Sequence, residues 1–134
     1  MKYVLDASVA VAALRSNEPF HADALRRCMP LFGGHDEIVV PALFDIEVVS
    51  ALVRRGVSPA SVERFFERHF ATRTLVTLGP RASRAVCRIV GLTRLRAADA
   101  LYVWLAVREG LPLVTADSEV LSRAPLAGAV AVVP

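Results

Sequence analysis

The sequence predicts an α/β domain built round a parallel sheet of about five strands, and three observations predict it. Short apolar runs alternate with longer amphipathic ones along the whole chain, which is the pattern of strand–helix–strand units. The 134 residues are 54% hydrophobic with a mean hydropathy of +0.47, enough to fill one core and too apolar for a disordered chain. No internal repeat, low-complexity tract or Gly/Ser-rich linker divides the sequence, so residues 1–134 read as one domain.

Taken in order, residues 2–5 form the first strand and residues 8–14 a short apolar helix. Pro19 suits the first turn of a second helix, where its missing N–H has no helical partner to lose, and that helix runs to about Met29. Residues 37–40 are the second strand. Pro41 then opens a helix carried by Leu43, Ile46, Val49 and Val53 and stopped by Gly56. Ser58 and Pro59 begin the next helix, which carries Val62, Phe65, Phe66 and Phe70. Residues 74–78 form the third strand, and Pro80 starts a helix ending near Gly91. A long helix over residues 96–109 ends at Gly110, and residues 113–115 are the fourth strand. A short helix follows Asp117, and residues 129–133 close as the fifth strand.

Composition excludes several classes. The uncharged run of eleven residues from Ala124 to Pro134 falls short of the roughly 20 apolar residues that a membrane span needs. Asp6 breaks the opening apolar run before it can form a secretory signal. Cys28 and Cys87 are too far apart for a short metal-ligand pair and too few for a disulfide framework. Both are expected to be buried packing residues in a reducing cytoplasm. The net charge is only +3, but fifteen of the sixteen basic residues are arginine. Arginine suits bidentate phosphate contacts. Genomic base composition gives the same bias, so charge alone does not identify a nucleic-acid enzyme.

Four of the thirteen acidic residues stand in apolar surroundings. Asp6 follows Tyr3-Val4-Leu5 and Asp117 follows Leu113-Val114-Thr115-Ala116, so both sit at the carboxyl ends of strands, the edge where parallel sheets bind ligands. Asp99 interrupts the apolar stretch from Ala97 to Leu105, and Glu47 lies among Ile46, Val48 and Val49. Each has a structural role open to it: Asp6 and Asp117 as helix N-caps, Asp99 against a helix dipole, Glu47 as a solvated boundary residue. Gathering four carboxylates at one edge is costly unless a cation offsets them, and an all-oxygen set suits Mg²⁺ or Mn²⁺. His21, His35 and His69 lie apart from these acids in sequence, which argues against a zinc site.

In this order and at these intervals, four segments resemble the PIN-domain nucleases, and in length and ordering the VapC-type toxins of toxin–antitoxin pairs. They are Asp6-Ala7-Ser8-Val9, the stretch around Glu47 from Phe44 to Leu52, Arg96-Ala97-Ala98-Asp99-Ala100-Leu101-Tyr102, and Leu113-Val114-Thr115-Ala116-Asp117. The resemblance spans essentially the whole chain. It implies helices on both faces of the sheet, a Mg²⁺- or Mn²⁺-dependent endoribonuclease, and inhibition by a cognate antitoxin. It also implies that Asp6, Glu47, Asp99 and Asp117 are the catalytic, metal-holding acids, with Ser8 and Thr115 as supporting hydroxyls. Arg96 or Arg94 would steady a phosphate near Asp99. Attack by a metal-activated water would leave 5′-phosphate and 3′-hydroxyl ends.

A homodimer is expected from the apolar content. An antitoxin segment is expected in a groove between the second and fourth helices, lined by Phe65, Phe66 and Phe70 if these do not pack in the core. Two phosphate-handling rivals fail on residues. A receiver domain needs an acidic pair after the first strand and a late lysine, and the one lysine is Lys2; a DxD phosphatase needs an acid where Ser8 stands. A PIN-like domain that binds RNA or protein without cutting remains the alternative.

Overall fold

The computed structural model describes residues Met1–Pro134. Five parallel strands, β1 (Lys2–Leu5), β2 (Glu37–Pro41), β3 (Arg73–Val76), β4 (Leu113–Val114) and β5 (Ala131–Val132), form one sheet in the order β3-β2-β1-β4-β5. Seven helices connect them: α1 (Ala7–Leu14), α2 (His21–Phe32), α3 (Leu43–Arg54), α4 (Pro59–His69), α5 (Pro80–Thr93), α6 (Ala97–Glu109) and α7 (Ser118–Arg123). A 3₁₀ turn (Ala124–Ala127) precedes β5. Helices α1 to α4 pack on one another, and α5, α6 and the 3₁₀ turn form a second group, so both faces of the sheet are covered.

β1 is central, with Tyr3, Val4 and Leu5 fully buried, as a strand sandwiched between two helical layers must be. The chain leaves β1 toward β2 on one side and later returns to β4 on the other. That reversal puts a topological switch point between β1 and β4, at the carboxyl edge of the sheet. The backbone bonds Asp6 N–H to Val114 O (3.0 Å) and Thr115 N–H to Val132 O (3.0 Å) carry this edge just past the strands.

Helix α6 enters the core almost whole: Ala100 through Ala106 are buried, and its last turn ends at Gly110, whose positive φ of 64° suits a residue without Cβ. A second apolar centre lies under α2, α3 and α4. Phe32, Phe44, Phe65, Phe66 and Phe70 meet there, with Phe44 and Phe70 edge-to-face at 5.6 Å between ring centroids.

The structure corrects three sequence expectations and decides between two alternatives for a fourth. Pro19 lies before α2, which begins at His21 after Phe20 turns into the left-handed region (φ 63°), and α2 runs past Pro30 to Phe32. Pro41 ends β2 instead of opening a helix; it pairs with Val76 of β3 beyond the last β1 partner of β2, where its missing N–H breaks no central ladder. Cys87 is exposed on α5, because that helix turns Val86, Ile89 and Thr93 inward. Of the two places open to them, groove or core, Phe66 and Phe70 take the core, in the aromatic centre, with Phe65 half-buried at its edge.

Candidate active site

Asp6 is the residue immediately after β1. Its extended backbone makes it the N-cap of α1, and its Oδ1 accepts the N–H of Ser8 at 3.1 Å. Its Oδ2 accepts the hydroxyl of fully buried Thr115 at 2.8 Å. The same Thr115 Oγ1 accepts the N–H of Asp117 at 3.1 Å. Asp117 in turn caps α7, its Oδ1 accepting Glu119 N–H at 2.8 Å and Val120 N–H at 3.2 Å. One threonine thus ties the two strand-end aspartates together. Both are helix caps, and capping uses only part of each carboxylate: every carboxylate oxygen has two lone-pair sites, so acceptor capacity remains on the cleft side.

Glu47 comes from the middle of α3. Its Oε1 accepts the phenolic O–H of Tyr102 at 2.8 Å, a bond from α6 that leaves Oε2 uncommitted. Asp99, in the first turn of α6, has only the distant Arg96 Nε at 3.8 Å as a charged partner, and the Arg96 side chain is 81% exposed. The cleft these residues line is about 430 Å³, with walls of Asp6, Ser8, Glu47, Asp99 and Asp117 and with Glu18, Arg55 and Arg96 also on it. A depression of about 500 Å³ on α4 is walled by Arg64, Arg68, Glu67, Ser61 and Phe65, and gathers none of the four acids.

The electrostatics couple the acids. Burial raises the Glu47 carboxyl above its ordinary value; the Tyr102 hydrogen bond pulls it back, and Asp6 and Asp99 push it further up. Burial also raises Asp99, and Asp6 and Asp117 add to the rise against the opposing pull of Arg96. Tyr102 is pushed up by burial and by Glu47, so it stays a neutral O–H donor. Mutual repulsion in a half-buried cleft is the signature of a site that favours a cation.

The donor set fits a hard divalent ion, since every acid offers oxygen and no histidine lines the cleft. His21 is engaged instead with the Ala12 carbonyl at 2.7 Å. No three of the ligating side chains stand close enough together to hold one ion as they are. A bound ion would therefore complete its sphere with water or draw the side chains inward, as Mg²⁺ sites with few protein ligands do.

All four sequence-predicted acids thus line one cleft, with Ser8 and Arg96 on its walls and Thr115 buried behind it. Ser8 supports Asp6 through its backbone N–H. Arg94 does not line the cleft; its carbonyl accepts from Arg123 at 3.2 Å. Sequence reasoning missed Tyr102, although a residue three positions after Asp99 on one helix shares its face. It also missed Glu18 and Arg55, whose pairing at 3.0 Å joins segments with no common pattern.

Comparison with known proteins places the fold. A family model described as PIN domain matches residues 3–125. Mycobacterium tuberculosis VapC20, described as a sarcin–ricin loop cleaving toxin, superposes with a TM-score of 0.74 at 16% identity over 100% of both chains. Rickettsia felis VapBC2, solved on a DNA fragment from its promoter, gives 0.70 at 14% identity over 100% of this chain and 99% of that one. PAE2754 from Pyrobaculum aerophilum gives 0.60 at 25% identity over 98% and 92%. No curated protein sequence matches the chain.

Proposed function

The chain belongs to the PIN-domain family, and on that premise we propose that it is a divalent-metal-dependent endoribonuclease, the toxin of a toxin–antitoxin pair. The observation that carries the reading is the convergence of Asp6, Glu47, Asp99 and Asp117 on one cleft, with the carboxyls of Glu47 and Asp99 raised by burial and by their neighbours. Structural neighbours described as a sarcin–ricin loop cleaving toxin and as toxin–antitoxin complexes support it.

In this reading Asp6, Glu47, Asp99 and Asp117 hold Mg²⁺ or Mn²⁺ through the oxygens not used in capping or by Tyr102. When bound, the ion offsets the carboxylate charge, polarises a phosphodiester oxygen and makes water a competent nucleophile near neutral pH. The chain's own part is placement. Thr115 fixes the rotamer of Asp6, the α7 amides fix Asp117, and Tyr102 fixes Glu47, so the acids are oriented before substrate arrives. Asp99, whose one charged partner within the protein is Arg96 at 3.8 Å, keeps both carboxylate oxygens open to the ion or to its water. Arg96, exposed at the rim, would reach a non-bridging phosphate oxygen.

The same reading includes a homodimer and an antitoxin partner. Ile46, Val49 and Val53 form an exposed apolar row on α3, and Leu75 and Leu78 add a second at the β3 edge, surfaces of the kind that partners cover. A reducing cytoplasm suits a chain whose two cysteines are free and in which no helix is long and apolar enough to cross a membrane.

The test is incubation of the pure protein with total RNA, with and without Mn²⁺, followed by mapping of the ends. The expectation is metal-dependent cutting that leaves 5′-phosphates and is lost in Asp6→Asn. RNA bound but left whole in Mn²⁺ would make the chain a binding domain. Light scattering reporting a monomer at every working concentration would remove the dimer.

A further inference from the structure

The carboxylate cleft does not end at the acids. A second depression, of about 610 Å³, is lined by Ile46, Glu47, Ser50, Ala51, Arg54 and Arg55, and it shares Glu47, Ala51 and Arg55 with the first. Together they form one groove that leaves the acids and crosses the last turns of α3. Arg55 stands where the two meet. Its Nε lies 3.0 Å from Glu18 Oε1 and its Nη1 donates to the Ala51 carbonyl at 3.0 Å, so its fork is held from two sides while its Nη2 makes no bond within the protein. Glu18 itself lies between two guanidiniums, with Arg15 Nε at 3.7 Å from the same oxygen.

The charge of this arrangement is telling. The depression over the end of α3 sets Arg54 and Arg55 against Glu47 alone, while the cleft sets Asp6, Glu18, Glu47, Asp99 and Asp117 against Arg55 and Arg96, so positive charge gathers at the α3 end of the groove. A helix carboxyl terminus repels anions, and basic residues there can serve that terminus alone. Arg54 suffices for such a role. Arg55 is different, because an acid from the α1–α2 connection holds its guanidinium at the groove, with N–H groups left free to grip a phosphate.

We propose that the groove is a path of the RNA strand, and that Arg55, steadied by Glu18, holds a backbone phosphate at the mouth of the carboxylate cleft. The proposal rests on the nuclease reading and extends it by laying a stretch of strand beside the acids, across the carboxyl end of α3. Arg55 touches substrate without touching the reacting atoms. Its loss therefore weakens binding of the strand more than it changes the chemistry, and it leaves the four site acids in place.

The experiment compares the parent with Arg55→Gln, Arg55→Lys and, as a control on the separate α4 surface, Arg68→Gln. Binding of a fluorescent single-stranded oligoribonucleotide is measured in EDTA across a salt series, and KM and kcat are measured in Mn²⁺. Arg55→Gln is expected to raise KM about tenfold with a smaller change in kcat, and to lower the slope of log affinity against log salt by about 0.7, the share of one single-strand phosphate contact. Arg55→Lys should recover the slope, since the charge remains, but not the whole of KM, since an ammonium cannot hold Glu18, Ala51 and a phosphate together. Arg68→Gln should match the parent. Parental KM and slope in Arg55→Gln overturn the proposal. If the parent cuts no RNA yet Arg55→Gln loses the slope, the cleavage reading falls and the strand path stands; if the parent neither cuts nor binds RNA, both fall.

Discussion

Two regions of this domain are built on the same helix and obey opposite rules. On one side α3 sends Phe44 and Val48, both fully buried, into the aromatic centre with Phe70 and Phe66. On the other it sends Glu47 into the cleft, where burial and neighbouring acids raise its carboxyl. The aromatic side is close-packed apolar surface that stabilises the fold and offers no chemistry. The carboxylate side is half-buried like charge that opposes folding and that, in the proposed function, a cation offsets. A domain with two helical layers can afford the second because the first is well filled. Stability and activity should therefore respond oppositely to substitution on the two sides.

The largest expected effect breaks the aromatic side. Phe70→Ala removes a fully buried ring that meets Phe32, Phe44, Phe65 and Phe66, and should cost about 3–5 kcal/mol by urea melting. A loss below about 1 kcal/mol would mean that this region is not the fold's anchor.

Next comes Asp99→Asn, which keeps the shape and removes a charge. Cleavage and Mn²⁺ affinity by calorimetry should fall at least about a hundredfold, more than the loss of a supporting residue brings, while the melting temperature of the metal-free protein stays level or rises. Asp6→Asn should behave alike, because an asparagine still caps α1. A lower melting temperature with metal binding intact would reduce both acids to structural residues.

Tyr102→Phe sharpens the comparison at the seam between the two sides. It deletes one hydroxyl from the core and leaves Glu47 Oε1 without its partner. Loss of a supporting hydrogen bond of this kind should weaken Mn²⁺ binding about tenfold. Unchanged binding would make the bond a packing detail.

The smallest effect is one of pH. Glu47 and Asp99 have folded-state carboxyls raised above the unfolded value, so the native state holds more protons in that window. Stability of the metal-free protein should then fall as pH rises from about 4, the ordinary carboxylate range, through the raised values. Saturating Mn²⁺ should abolish the fall, and a metal-free melting temperature that climbs across this window would contradict it.

The sequence made the strands and the acids legible for the same reason. A carboxylate directly after a buried apolar run has few places to go, and Asp6 and Asp117 both meet that condition. Caps were equally plain at Ser58, which accepts the N–H of Ser61 at 3.2 Å. What escaped depended on phase or on distance. Cys87 lies one residue from buried Val86, and a packing assignment without the helical phase put it inside. Pro41 reads locally as a helix start and is a strand end because it pairs with Val76, the last residue of β3. Glu18 and Arg55 meet only through tertiary structure, so no local signal announces their contact.

The bond from Thr115 to Asp6 spans 109 residues, and that span has a consequence for the life of the chain. During synthesis β1 emerges before β4, so Asp6 lacks its threonine until β4 has been made, and Asp117 does not yet exist. The growing polypeptide passes through most of its translation beside ribosomal and messenger RNA without a finished site. A protein of the proposed activity would be harmless to the machine that makes it until the last segments are joined to the first.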